Sequence, residues 1–286
     1  MRFRLAAMSD SERDYVLGTG DPEIARLGLQ HAVWRERALG AWRRAGVQRG
    51  KTVMDLGCGP GYATLDLAEI VGPAGKVIAV DRSHRFLAAL ERAAAARGFT
   101  NIEIVESDVS ELRLPAGSVD VVWCRWLLIF TPDPEGVVAG VAPFLRGGGS
   151  FVLHEYGDYR TWRLHPRSAA HDRLVDAVVA SWRAHGGDAD VGLRLPGAFR
   201  ANGLRLEHMQ PLIDTATPAD FVWRWAAAYV ETGAQRLMEL GFLDAETVAG
   251  VQADWAAAEA DPASLMITPL VIEVIGRKGE IFTPPR

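Results

Sequence analysis

Three carboxylates and one bare stretch of backbone are the parts of this sequence best suited to chemistry. Asp55 stands two residues ahead of Gly57, Gly59 and Gly61, within Val53-Met54-Asp55-Leu56-Gly57-Cys58-Gly59-Pro60-Gly61-Tyr62. Alternate glycines after an apolar run read as a buried strand turning sharply into a helix, with no Cβ to hold a ligand off the backbone. Asp81 closes the run Lys76-Val-Ile-Ala-Val-Asp, and Asp108-Val109 follows Ile102-Glu-Ile-Val-Glu-Ser. A strand-end carboxylate can accept from both hydroxyls of a ribose, the role of acids past such a turn in nucleotide-binding folds. Two further pairs can steer charge. His154-Glu155, followed by Tyr156, can take a proton from a hydroxyl or an acidic carbon. Successive strand residues face opposite sides, so only one of that pair is expected to reach a common pocket. Arg125-Trp126 sets a guanidinium beside an indole. His154 and His165 lack a diagnostic ligand spacing, so no metal is expected.

The elements that must position these residues are legible as alternation. Strands are expected at 51–56, 76–81, 102–107, 119–124 and 149–155, with helices at 61–71, 83–97 and about 134–145 between them. Strand and helix in turn imply an α/β fold, a doubly wound parallel sheet with helices on both faces. A helix over 22–46 precedes the sheet, with Asp21 suited to its N-cap and Gly46 to its stop. Beyond residue 156 the alternation lapses. Helices are expected at 166–185 and 192–202, a strand near 204–213, a long helical stretch at 218–260, and a last strand within 266–276 that starts properly after Pro269. Phe221, Trp223, Trp225 and Tyr229 cluster in the helical stretch, with Trp225 and Tyr229 one turn apart.

The totals narrow the partners. The chain has 286 residues, 49% of them hydrophobic, which supports one large core or one core with an insertion. A formal charge of −5 disfavours nucleic acid and implies no broad basic surface. Two cysteines, Cys58 and Cys124, make neither a disulfide framework nor a zinc site, which suits a reducing, cytoplasmic setting. No run approaches a membrane span, and no membrane partner is expected. A small molecule is the expected partner, and the composition allows a homodimer.

The stretch Asp55-Leu56-Gly57-Cys58-Gly59-Pro60-Gly61 resembles the first motif of class I S-adenosylmethionine-dependent methyltransferases. It is similar to their small-molecule branch, related to the ubiquinone/menaquinone methyltransferases. The resemblance runs from about Tyr15 to Leu153. It implies a Rossmann-like sheet of seven strands, mostly parallel, with the last antiparallel. The core would then be 47–217 with 261–286, residues 1–46 a leading segment with a lid helix, and 218–260 a helical cap insertion. It implies S-adenosylmethionine as cofactor, with the methionine part on Gly57, Cys58, Gly59 and Gly61 and its amino group near Asp55. Asp81 and Arg82 would serve the ribose and adenine edge, and Asp108 and Val109 the adenine. Arg125 would face the methionine part, and Tyr15 with His31 would fold over it. Trp126, Tyr156 and Trp223 are the expected acceptor wall, with His154 or Glu155 as catalytic base. The implied activity is O- or C-methylation of an aromatic, quinone-like or enolisable acceptor. Cys124-Arg125-Trp126 is not the Asn/Asp-Pro-Pro-aromatic motif of enzymes that methylate adenine or glutamine nitrogen. A nicotinamide-dependent oxidoreductase is the rival, disfavoured by Tyr62 where the dinucleotide fingerprint needs a third glycine. A non-catalytic subunit that binds the cofactor for a partner is the other.

Overall fold

The computed structural model describes residues 18–279. The apolar runs form strands β1 (Thr52–Leu56), β2 (Lys76–Asp81), β3 (Ile102–Glu106), β4 (Val119–Arg125) and β5 (Leu145–Asp158). Helix α1 (Asp21–Ala45) precedes them, and α2 (Tyr62–Val71), α3 (His84–Ala96) and α4 (Pro134–Val141) lie between them. Then follow β6 (Arg163–His165), α5 (Ala169–Ala184), α6 (Leu195–Ala201), β7 (Leu204–Leu212), β8 (Thr215–Ala216), α7 (Phe221–Glu239), α8 (Ala245–Ala260), β9 (Leu265–Ile267) and β10 (Leu270–Lys278).

Seven strands make one sheet in the order β3-β2-β1-β4-β5-β10-β7. The first five are parallel, and β10 runs antiparallel to both β5 and β7. This is the expected doubly wound sheet with its last strand reversed. Chain order changes direction between β1 and β4, and the crevice beyond their carboxyl ends is where such sheets receive ligands. Alternate residues feed two layers. Met54, Val122, Cys124 and Leu153 join the larger core, while Val53, Val121, Trp123 and Val152 pack with α1 and α2. Trp42 of α1 meets Trp123 edge-on at 5.4 Å.

Two local expectations change. Gly20, not Asp21, is the N-cap of α1, and Asp21 lies in its first turn, where an acid suits the helix dipole. A second sheet, β6-β9-β8, has strands of two or three residues, too short to leave a periodicity. Pro269 splits the expected last strand: Met266 and Ile267 pair with β6 and β8, and β10 begins at Leu270. Ser83 caps α3 by accepting from Phe86 N. Residues 218–260 hold α7, which packs on α1, and α8, which packs on α5 and α7. Among the described residues no helix is long and apolar enough to cross a membrane.

Candidate active site

A cavity of about 1130 Å³, its open mouth included, lies beyond the carboxyl ends of β1 and β4. Its floor is the glycine turn. Gly57, Gly59 and Gly61 all take positive φ, at 73°, 53° and 85°. The backbone N–H groups of Gly57 and Cys58 both donate to Val80 O, at 2.8 and 2.9 Å, which staples the turn to β2. Each glycine is needed for a different reason. A Cβ on Gly57 would sit 3.0 Å from Leu127, and one on Gly61 2.3 Å from Leu90 Cδ1. A Cβ on Gly59 would meet nothing within 4 Å, because its Cα faces open space. Gly61 caps α2 against α3 and does not line the cavity.

Two of the three strand-end acids reach this floor. Asp55 is buried, accepts from Thr64 Oγ1 at 2.6 Å, and has its carboxyl pushed up to about 6 by burial against the opposing pull of Thr64 and Arg125. Asp81 accepts from Gly59 N at 2.8 Å and Ser83 N at 2.9 Å, so it also holds the turn. Burial raises its carboxyl. Asp108 does not line the cavity; its Oδ1 accepts from the backbone and hydroxyl of Ser110, closing a local turn. Val109 packs against the core, and Arg82 too lies outside the cavity lining. Tyr15 lies outside the described residues.

Arg125 closes β4 and enters the cavity between Trp123 and Trp126, 5.7 and 5.2 Å from their ring centres. Its Nη2 donates to His31 Nδ1 at 3.1 Å, while Nη1 is buried with no partner among the described residues. Burial draws the guanidinium down to about 10. His31 lines the cavity from α1, and its Nε2 meets Asp66 Oδ2 at 3.1 Å. Arg35 donates to the same oxygen at 2.7 Å.

The opposite wall is aromatic. Trp225, Trp126, Tyr156 and Trp182 form a continuous stack, each neighbouring pair at 5.6 Å with planes within 22°. Burial pushes the Tyr156, Tyr159 and Tyr229 phenols up, so all three stay protonated at neutral pH. Trp126 holds its place by an unusual backbone: φ is 52°, the one positive value outside glycine among the described residues. A bulky residue there is strained. Two contacts hold it, Trp126 N donating to His154 O at 3.0 Å, and Glu155 Oε1 accepting from Leu127 N and Leu128 N at 2.9 and 2.8 Å.

Those contacts correct the expected bases. Neither His154 nor Glu155 lines the cavity, and both are fully buried. His154 bonds through Nε2 to Glu273 Oε2 of β10 at 2.8 Å, with its ring 4.8 Å from Trp123. Glu155 points to the other side of the sheet and caps the turn after β4, and burial pushes it up to about 8. Trp223 is likewise no part of the wall. It is buried against Trp255, because two residues along a helix from Trp225 is the opposite face. Trp225, Ala226 and Tyr229 present the cavity side. Sequence reasoning missed Arg26, which lines the cavity from α1 and is gripped by Glu23 through two bonds of 2.7 Å. Gln30 accepts from Arg26 and from Trp225 Nε1, each at 3.1 Å. The i, i+3, i+7 spacing of Glu23, Arg26 and Gln30, steps of three and then four, was the available signal.

Residues 53–149, which carry the glycine turn, Asp55, Asp81 and Arg125, match the family described as "Methyltransferase domain". This segment is similar to that domain over about a third of the chain. It is 36% identical over 126 residues to demethylmenaquinone methyltransferase of Lactococcus lactis, an alignment that covers 44% of this chain and 49% of that one. The chain thus spans about half the length of the curated relatives it matches. Its fold is similar to geranyl diphosphate C-methyltransferase from Streptomyces coelicolor A3(2), with a TM-score of 0.58 at 15% identity over 87% of this chain and 77% of that one. It is also similar to the [4+2]-cyclase SpnF, with a TM-score of 0.53 at 20% identity over 86% and 80%. At these identities the likenesses show the fold alone.

Proposed function

We propose that this protein transfers a methyl group from S-adenosylmethionine to oxygen or carbon of a small-molecule acceptor. The observation that carries the reading is one cavity with two unlike halves, a glycine-turn floor with Asp55 and Asp81 and a wall of stacked aromatic rings. Two features fit the cofactor. Arg125 Nη1 is a buried donor awaiting an acceptor, suited to a carboxylate, and the Cα of Gly59 opens onto space that no side chain fills. Asp55 and Asp81 would serve the amino group and the ribose. The cofactor supplies an activated methyl on sulfonium. The protein supplies proximity and alignment, and excludes water. The name of one similar enzyme, demethylmenaquinone methyltransferase, supports a small organic acceptor. The stack through Trp126 and Trp225 suits a flat one. In this reading 218–260 and α1 act as a cap over the acceptor, and Trp225 is its inner face.

Titration calorimetry with S-adenosylmethionine, S-adenosylhomocysteine and NAD tests the cofactor. The first two should bind and NAD should not; NAD binding alone would reject the proposal. Asp81→Ala removes an anionic acceptor worth about 1.5–3 kcal/mol, so affinity for S-adenosylhomocysteine should fall about ten- to 150-fold. Turnover should be followed as S-adenosylhomocysteine release on a panel of naphthoquinols, phenols and β-dicarbonyls. Trp225→Ala should raise the acceptor KM and leave cofactor affinity unchanged.

A further inference from the structure

His31 has the surroundings of a base but not an available lone pair. Arginine only donates, so the contact with Arg125 Nη2 makes His31 Nδ1 the acceptor and places the ring proton on Nε2, facing Asp66. The charged groups around the ring are Asp66 of α2, Arg35 of α1 and Arg125 of β4, and the Tyr62 ring lies over it at 6.3 Å. Burial lowers the affinity of His31 for a proton most, the Asp66 bond opposes this, and the Arg125 charge lowers it further. A carboxylate held by acid–imidazole geometry on one side, and a cation on the other, leaves the ring neutral and its inner nitrogen occupied.

We propose that Arg125 is shared between His31 and the carboxylate of a cavity ligand, so that a bound carboxylate draws the guanidinium away and releases His31 Nδ1 as the base of this site. The inference rests on reading the cavity as a cofactor site. It replaces His154 and Glu155, whose side chains are engaged elsewhere, with a residue that does line the cavity. The proton step balances simply. The O–H or acidic C–H bond of the acceptor breaks, its electron pair stays on the acceptor, and the proton goes to Nδ1. Asp66 then faces an imidazolium, and the proton leaves to water when the cavity opens. A second consequence is order: the base is set only after the carboxylate is seated, which guards the site against deprotonating an acceptor before a methyl donor is present.

The test needs no acceptor. The ¹⁵N-labelled protein is titrated with and without saturating S-adenosylhomocysteine, and His31→Asn, which keeps an acceptor near the Nδ1 position, assigns the ring signal. The His31 midpoint should lie below 6.5 in the free protein and rise by about 1–3 pH units when bound, as expected on pairing the nearby cation. Calorimetry in two buffers of different ionisation enthalpy, run on wild type and on His31→Asn, reads the same event as the His31-dependent part of proton uptake on binding at pH 6.5, because Asp55, with its carboxyl near 6, also exchanges a proton when the amino group is seated. Binding with no His31-dependent uptake and an unmoved midpoint overturns the coupling and leaves the cofactor reading standing. No binding of S-adenosylhomocysteine overturns both. On any acceptor the panel yields, His31→Asn should lower turnover 10²–10⁴-fold with cofactor affinity kept within a few-fold. Turnover within a few-fold of wild type would overturn the assignment of the base.

Discussion

Two sharp turns meet at the switch point of the sheet, and they are built by opposite means. The turn after β1 reaches positive φ three times with glycine, whose missing Cβ removes the strain at its source. The turn after β4 reaches φ 52° with tryptophan and holds the strain down from outside, with the Glu155 carboxylate gripping the next two N–H groups. The first device is local and leaves room for a ligand. The second spends a buried charge-capable group to place a large ring where the first turn could place none. A site that needs both bare backbone and an aromatic wall has one of each.

Substitutions can break the comparison. The largest effect is expected at Gly61→Val, which adds left-handed strain to a Cβ within 2.3 Å of Leu90 and should cost about 2–6 kcal/mol in urea unfolding. Glu155→Ala comes next. It strands two buried N–H groups beside a strained residue, and about 2–5 kcal/mol should be lost. If that variant is as stable as wild type, the Trp126 turn holds itself and the contrast fails. Gly59→Ala is milder, because its Cβ enters open space; about 1–2 kcal/mol of strain is expected, with a larger proportional loss of S-adenosylhomocysteine affinity. The Glu155 carboxyl sharpens the picture through pH. Glu155 is ionised above about 4.5 when unfolded but only above about 8 when folded, so the folded state holds the extra proton between those values. Its contribution to stability should therefore decline as pH rises from 5 to 8 and level off beyond. Glu155→Gln cannot ionise, and the stability gap between wild type and this variant should drift in the variant's favour over that window. A gap independent of pH would show that the carboxyl is ionised throughout.

The same contrast explains what the sequence made legible. Strand ends, the alternation and the glycine turn follow from patterns within a dozen residues, and each could be read in line. Placing Asp55, Asp81 and Arg125 at one cavity needed only the rule that parallel strands end on one side. The Trp126 turn could not be read that way, because its support lies 29 residues later and its residue type argues against a turn. His154 and Glu155 look catalytic when read in line. Only the arrival of β10 with Glu273, and the bend after β4, show what each carboxylate and ring is engaged with. The Arg125–His31 contact spans 94 residues and joins a helix to a strand, a pairing that helical periodicity cannot express. Trp223 and Trp225 differ by a helix phase that a count of aromatics does not resolve.

Strand β10 is the last of the described elements to leave the ribosome, yet it belongs in the interior of the sheet. It lies between β5 and β7, which do not touch each other except through it. It also carries Glu273, whose carboxylate meets His154 of β5, Arg44 of α1 and Gln210 of β7. Until residue 273 is made, the edge of β5 is an open template and His154 has no acid to answer it. Any sheet formed before then has an exposed edge for the whole time needed to add β6 through β9. The long helical stretch before β10 then sets how late in translation the sheet can close.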